Sequence, residues 1–97
     1  MIKRKSNTKA DQVTVTFSLD ETRPVSVVGD FNEWDPLVTP LKKRSNGLRS
    51  AAVKVPTGSE LRFRYLVDGG EFQDEPEADR IEPNGYGQSH SVVLTSA

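Results

Sequence analysis

Apolar and hydroxyl residues alternate in Val13-Thr14-Val15-Thr16-Phe17-Ser18, the period of two expected of a strand with one buried and one wetted face. The run Val25-Ser26-Val27-Val28 follows Pro24, and a proline at the start of a strand costs no ladder hydrogen bond. From Leu61 to Val67 the alternation is clearest: Leu61, Phe63, Tyr65 and Val67 share one face, with Arg62, Arg64 and Leu66 on the other. Leu48 to Val55 and Ser91 to Thr95 predict further strands, and Leu37 to Arg44 a short edge strand. Turn residues punctuate these runs at Ser45-Asn46-Gly47, Pro56-Thr57-Gly58-Ser59 and Asp68-Gly69-Gly70. Asn-Gly in particular tolerates the positive φ of a tight hairpin. Residues 71 to 89 read as a long acidic loop broken by proline and glycine. No helical period is sustained anywhere, so the expected class is an all-β antiparallel sandwich of about seven strands.

The pattern also sets the domain organisation. Residues 1 to 11 carry no apolar period and are expected to be a flexible arm. Residues 12 to 97 are expected to form a single β-sandwich domain, a size that suits 97 residues in all. The arm is basic (Lys3, Arg4, Lys5, Lys9) but no apolar run follows it, so neither a secretory signal nor a membrane span is expected. The bland reading of those charges is a solvated tail.

Composition narrows the chemistry. The formal net charge is -1, which gives no general attraction to nucleic acid or membrane. There is no cysteine, so no disulfide framework or thiolate metal site exists, and a reducing, cytoplasmic setting fits. The single histidine, with no nucleophile elbow and no phosphate-cradling glycine loop, leaves nucleophilic and phosphoryl-transfer chemistry without parts. The acidic loop (Glu71, Asp74, Glu75, Glu77, Asp79, Glu82) offers carboxylates, but glycoside hydrolysis needs a cleft to hold two of them, and the spacing does not match a calcium loop. No enzyme activity, metal or cofactor is expected. An RNA-binding sheet face would need a basic-aromatic motif that is absent here.

The segment Gly29-Asp30-Phe31-Asn32-Glu33-Trp34 is the most informative. A strand ends, a glycine permits a sharp turn, and two aromatics sit three apart in a polar loop. Trp34, the only tryptophan, has two readings at this point. It either folds back as a lid on the core or lies open as a flat platform for the C–H faces of a sugar ring.

Five segments in order resemble the glycogen-binding, isoamylase early-set modules found in the β subunit of AMP-activated kinase and at the front of glycogen branching and debranching enzymes. They are Gly29 to Trp34 after a Val-Ser-Val-Val strand; Arg62-Phe63-Arg64-Tyr65-Leu66-Val67-Asp68-Gly69; the acidic-proline stretch Asp74 to Asp79; Pro83-Asn84-Gly85-Tyr86-Gly87; and Ser91-Val92-Val93. The resemblance runs from about Val13 to Thr95. It implies an immunoglobulin-like early-set sandwich that binds α-1,4-linked glucan without catalysis, in company with a glycogen-metabolism enzyme or kinase, and with neither nucleic acid nor membrane.

The resemblance also implies a set of sugar contacts. Trp34 matches the first aromatic platform, with Phe31 as the buried partner that positions its loop. Arg64 matches a lysine that reaches sugar hydroxyls, although a planar guanidinium is not interchangeable with an ammonium. Phe72 matches the second platform if the turn before it is one residue longer than usual; otherwise Glu71 takes that place and the platform is lost. Tyr86 matches an apolar or aromatic contact, and Gln88 a hydroxyl-bearing one. His90 stands where the family has asparagine, with one donor and one acceptor when neutral; alternatively it only flanks the last strand. The competing reading is a protein-interaction or adaptor domain of the same fold that has lost or weakened sugar binding, since function belongs to the site rather than the fold. Exposure of Trp34 discriminates the two.

Overall fold

The computed structural model describes residues 1–7, 9–83 and 89–95. Among them nine strands and no helix are found: β1 (Ile2–Asn7), β2 (Gln12–Leu19), β3 (Val25–Gly29), β4 (Pro40–Lys43), β5 (Arg49–Pro56), β6 (Glu60–Val67), β7 (Glu71–Gln73), β8 (Arg80–Pro83) and β9 (Ser89–Leu94). All pairings are antiparallel. The strands run β1-β2-β5-β4-β3-β6-β9-β8 across one continuous sheet, and β7 adds to β6 beyond the point where β9 leaves it.

The sheet curls onto itself because the alternating runs each present one apolar face. Val13, Val15 and Phe17 of β2, Val25 and Val27 of β3, and Leu61, Phe63, Tyr65 and Val67 of β6 belong to one buried cluster. β2 and β6 are not neighbours in the sheet, yet Phe17 meets Phe63 edge-on with centroids 4.7 Å apart, and Phe63 meets Tyr65 edge-on at 5.6 Å. Full burial of a Val or Phe side chain contributes about 1.5–3 kcal/mol, so burial of this shared cluster favours the closed curl.

Three expectations change. Residues 1 to 11 contain a paired strand: β1 lies along β2 with Lys3 opposite Thr16 and Lys5 opposite Thr14. Its side chains are almost all exposed, so main-chain pairing, which leaves no apolar period in the sequence, forms it. Leu37 to Arg44, expected at an edge, holds β4 between β5 and β3, where four residues turn the corner of the curl. The expected long acidic loop contains β7 and β8, three and four residues long, too short for alternation to reveal.

Glu75 anchors that acidic segment. Its carboxylate is buried, accepts hydrogen bonds from the Tyr65 hydroxyl (2.7 Å) and the Glu77 N–H (2.9 Å), and pairs with the Met1 amine. The Glu75 N–H donates to Ser91 Oγ at 2.9 Å. Burial, reinforced by the carboxylate, pushes the Tyr65 hydroxyl well above its usual pKa.

Candidate functional site

The outward face of β6 and its neighbours is set by register. Phe63 and Tyr65 point into the core, so Arg62, Arg64 and Leu66 point out. Cross-strand partners share a face, which adds Val28 opposite Arg64, Phe72 opposite Leu66 and Val92 opposite Arg62. Ser91, opposite Phe63, is buried, so His90 faces outward with its cross-strand partner Glu82.

The loop after β3 brings Trp34 to this face. Gly29 closes β3 where there is no room for a side chain: a Cβ would lie 2.4 Å from the Arg62 carbonyl oxygen and 2.6 Å from the Phe31 ring. The Gly29 carbonyl accepts from the N–H groups of Asn32 (3.2 Å) and Trp34 (2.8 Å). Asn32 fastens the loop from within, its side chain accepting from the Gly29 N–H at 3.0 Å and donating to the Val27 carbonyl at 3.0 Å and Thr39 Oγ1 at 3.1 Å. Phe31 lies flat against Phe17, with centroids 5.7 Å apart and ring planes 9° apart, and is the inward aromatic of the pair. Trp34 is the outward one, 42% exposed. Glu33 and Trp34 have φ of 59° and 58°, the left-handed region that bulky residues avoid at about 1–3 kcal/mol each. The Asn32 bonds and the Phe31–Phe17 stack supply the constraint that keeps the indole in this position.

Phe72 is 46% exposed. The turn into β7 has positive φ at both Asp68 (53°) and Gly69 (73°), with the Gly70 N–H donating to the Val67 carbonyl at 3.1 Å, the mirror-image turn that suits the twist of a hairpin. This turn sets the register that puts Phe72 outward. Glu71 lies opposite Val67 instead, and its carboxylate pairs with Arg23 at 2.9 Å. The Arg64 guanidinium carbon sits 4.1 Å from the Phe72 ring centroid, within cation–π range.

His90 connects Trp34 to a row of ion pairs. Its ring centroid is 6.2 Å from that of Trp34, and its Nε2 lies 3.3 Å from Glu82 Oε1. Glu82 also accepts from Arg62 Nε (3.0 Å) and Arg80 Nε (2.7 Å), while Glu60 accepts from Arg62 and Arg80 at 3.3 and 3.0 Å. The Arg80 and Arg62 hydrogen bonds, Arg80's first, hold the Glu82 carboxyl down at about 2. Glu82 was legible only as one acid in a loop; an alternating Arg80-Ile81-Glu82 is the signal for β8 that its short length hid. Tyr86 and Gln88 lie outside the described residues. Among the described residues, no group of three acidic or histidine side chains converges as a metal-ligand set, and no helix is long and apolar enough to cross a membrane.

Trp34, His90, Arg64 and Phe72 are thus brought to one face. It offers two half-exposed flat rings with a guanidinium and an imidazole among them, an arrangement suited to a ligand that is apolar on its faces and hydroxylated at its rim.

No protein-family model matches the chain. Local similarity is found to curated glucan branching enzymes, among them these two. The chain is 35% identical over 65 residues to the 1,4-alpha-glucan branching enzyme GlgB of Aquifex aeolicus (strain VF5), which covers 64% of this chain and 9% of that enzyme. It is 36% identical over 47 residues to the 1,4-alpha-glucan branching enzyme GlgB 2 of Xanthomonas campestris pv. campestris (strain 8004), covering 47% of this chain and 6% of the enzyme. The chain therefore matches only a small segment of each of these enzymes, and it is to that segment that it is similar.

Proposed function

We propose that this chain is a non-catalytic module that binds α-1,4-linked glucan on the outward face of β6. We assign its curled sheet to the immunoglobulin-like, early-set sandwiches, with residues 12 to 97 as the binding domain. Trp34 and Phe72 stack on glucose rings, and Arg64 and His90 hydrogen-bond the hydroxyls. Tyr86 and Gln88 add contacts from the segment that precedes β9. No cofactor takes part, and the cysteine-free chain works in a reducing cytoplasm.

The observation that carries this reading is the exposure of Trp34. A lone tryptophan held outward at strained φ, 42% exposed, is a costly arrangement unless the ring has a ligand. The local similarity to two glucan branching enzymes supports the ligand class. Stacking on an open face gives affinities of about micromolar to millimolar, because sugar hydroxyls must be desolvated.

The test is titration with maltoheptaose, following tryptophan fluorescence. Trp34 is the sole reporter, so a saturable change places sugar beside it. A flat signal up to millimolar oligosaccharide overturns the reading and leaves the interaction-domain alternative, for which Leu37 (87% exposed) and Val38 (59% exposed) provide an apolar contact next to the same loop.

A further inference from the structure

The opposite side of the fold carries a second surface of different character. On β1, β2, β5 and β4, the inward residues are Val13, Val15, Phe17, Ala51 and Leu41. The register then places Lys3, Lys5, Thr14, Thr16, Lys54, Ala52, Ser50 and Lys42 together on the outward face. Because Phe17 of β2 meets Phe63 of β6 across the core, this face points away from Trp34 and Phe72. It holds four lysines and no carboxylate. Among the described residues none of the four is in an ion pair, whereas Arg62 and Arg80 on the aromatic side are both neutralised by Glu60 and Glu82. Shallow depressions run along it, lined by Lys3, Lys5, Lys9, Lys54, Thr14 and Thr16. The face ends at β1, which pairs only with β2 among the described residues and leaves its outer edge open.

We propose that β1 is a docking edge for an extended acidic segment of another polypeptide, which adds as a further strand with its carboxylates over Lys3 and Lys5. An open strand edge presents alternate N–H and C=O groups, and a peptide main chain complements them. The lysines select the partner. Arg4, on the other face of β1, is taken up by Asp79, but two β1 edges brought together would set Lys3 and Lys5 of one copy against those of the other, so self-pairing is repelled while an acidic strand is attracted. The face carries no aromatic ring on which bases could stack and no large apolar side chain to enter a bilayer. A strand of polypeptide is the one anionic partner that uses both the charges and the open main chain. Bound there, it leaves the aromatic face free.

The test uses the full chain, isotopically labelled, and a short synthetic peptide alternating glutamate and threonine. The expected result is a saturable shift of amide resonances in Ile2–Asn7 and adjoining β2, with slowed amide exchange in β1. Reversing the charges in a Lys3→Glu, Lys5→Glu variant should weaken binding about tenfold or more while leaving maltoheptaose titration unchanged. If that variant does not fold, Lys3→Gln, Lys5→Gln is read in its place and should weaken binding in the same direction. A peptide of the same sequence with every main-chain N–H methylated has no donor for the β1 edge in either register and should not bind. Three outcomes overturn the proposal: no shift at millimolar peptide, equal binding of the N-methylated peptide, or tighter binding of oligothymidylate or phosphatidylserine vesicles to these lysines.

Discussion

The guanidinium of Arg64 lies 4.1 Å from the centroid of the Phe72 ring. The two side chains come from adjacent strands, with Phe72 opposite Leu66 and Arg64 two residues before it, so they meet on the diagonal of the sheet. The cation therefore helps hold a ring that is 46% exposed in place as a surface. A cation over an exposed aromatic contributes about 0.5–1 kcal/mol, enough to bias the ring's orientation but not to decide whether the domain folds.

A Phe72→Trp substitution should tighten maltoheptaose binding, because the indole offers more area and an N–H donor. A gain of about threefold to tenfold, or about 0.7–1.4 kcal/mol, is expected by calorimetry. An unchanged or weaker Kd would mean that Phe72 is not a stacking surface. A double-mutant cycle with Arg64→Ala and Phe72→Ala should show coupling in thermal stability of the size given above.

Trp34→Ala should abolish measurable maltoheptaose binding and leave the melting temperature within a few degrees of the parent. The ring is 42% exposed and outside the buried cluster, so little core is lost. Since the variant lacks tryptophan, binding is read by calorimetry. Retained affinity would remove the site assignment.

Asn32→Ala removes three side-chain hydrogen bonds that pin the loop to Gly29, Val27 and Thr39. Leaving the partly buried Gly29 N–H and Val27 carbonyl without them should cost about 1–3 kcal/mol, seen as a lower denaturation midpoint. Binding should fall even where the protein remains folded, because the positive φ at Trp34 is then no longer enforced.

Tyr65→Phe keeps the ring that packs on Phe63 but removes the hydroxyl bonded to Glu75 at 2.7 Å. A buried carboxylate that loses a donor should cost the fold about 1–3 kcal/mol. Sugar binding by the folded fraction should be unaffected, because Tyr65 faces the core and not the aromatic face.

Acid should act through Glu82 and Glu21. Hydrogen bonds from Arg80 and Arg62 hold Glu82, and those from Arg23 hold Glu21, at about 2 against an ordinary 4.5. A carboxyl depressed in the folded state stabilises it fully above the unfolded value and loses that contribution as pH falls through the folded one. Stability should therefore be level above about pH 4.5 with respect to these groups and decline toward pH 2. Glu82→Gln should flatten that decline in acid-titrated thermal melts, and an unchanged slope would show that the Arg62–Glu82–Arg80 row carries no linkage.

Much was legible from the chain alone. Alternation is a local property, so β2, β3, β5, β6 and β9 could be read residue by residue, and the parity of Leu61 to Val67 already separated Phe63 and Tyr65 from Arg62 and Arg64. The glycine before Phe31 and the Asp-Gly turn before Phe72 are likewise local signals of backbone shape. Other features depend on distant partners. β1 carries no apolar period and forms through main-chain bonds to β2; β7 and β8 are too short to alternate; β4 takes the corner only because the sheet on both sides must reach the same core. Whether the Trp34 ring faced the core or solvent lay beyond pattern, since both placements suit the same residues. The Asn32 bonds and the Phe31–Phe17 stack decided that orientation, by filling the inward position with phenylalanine and turning the indole toward His90 and solvent.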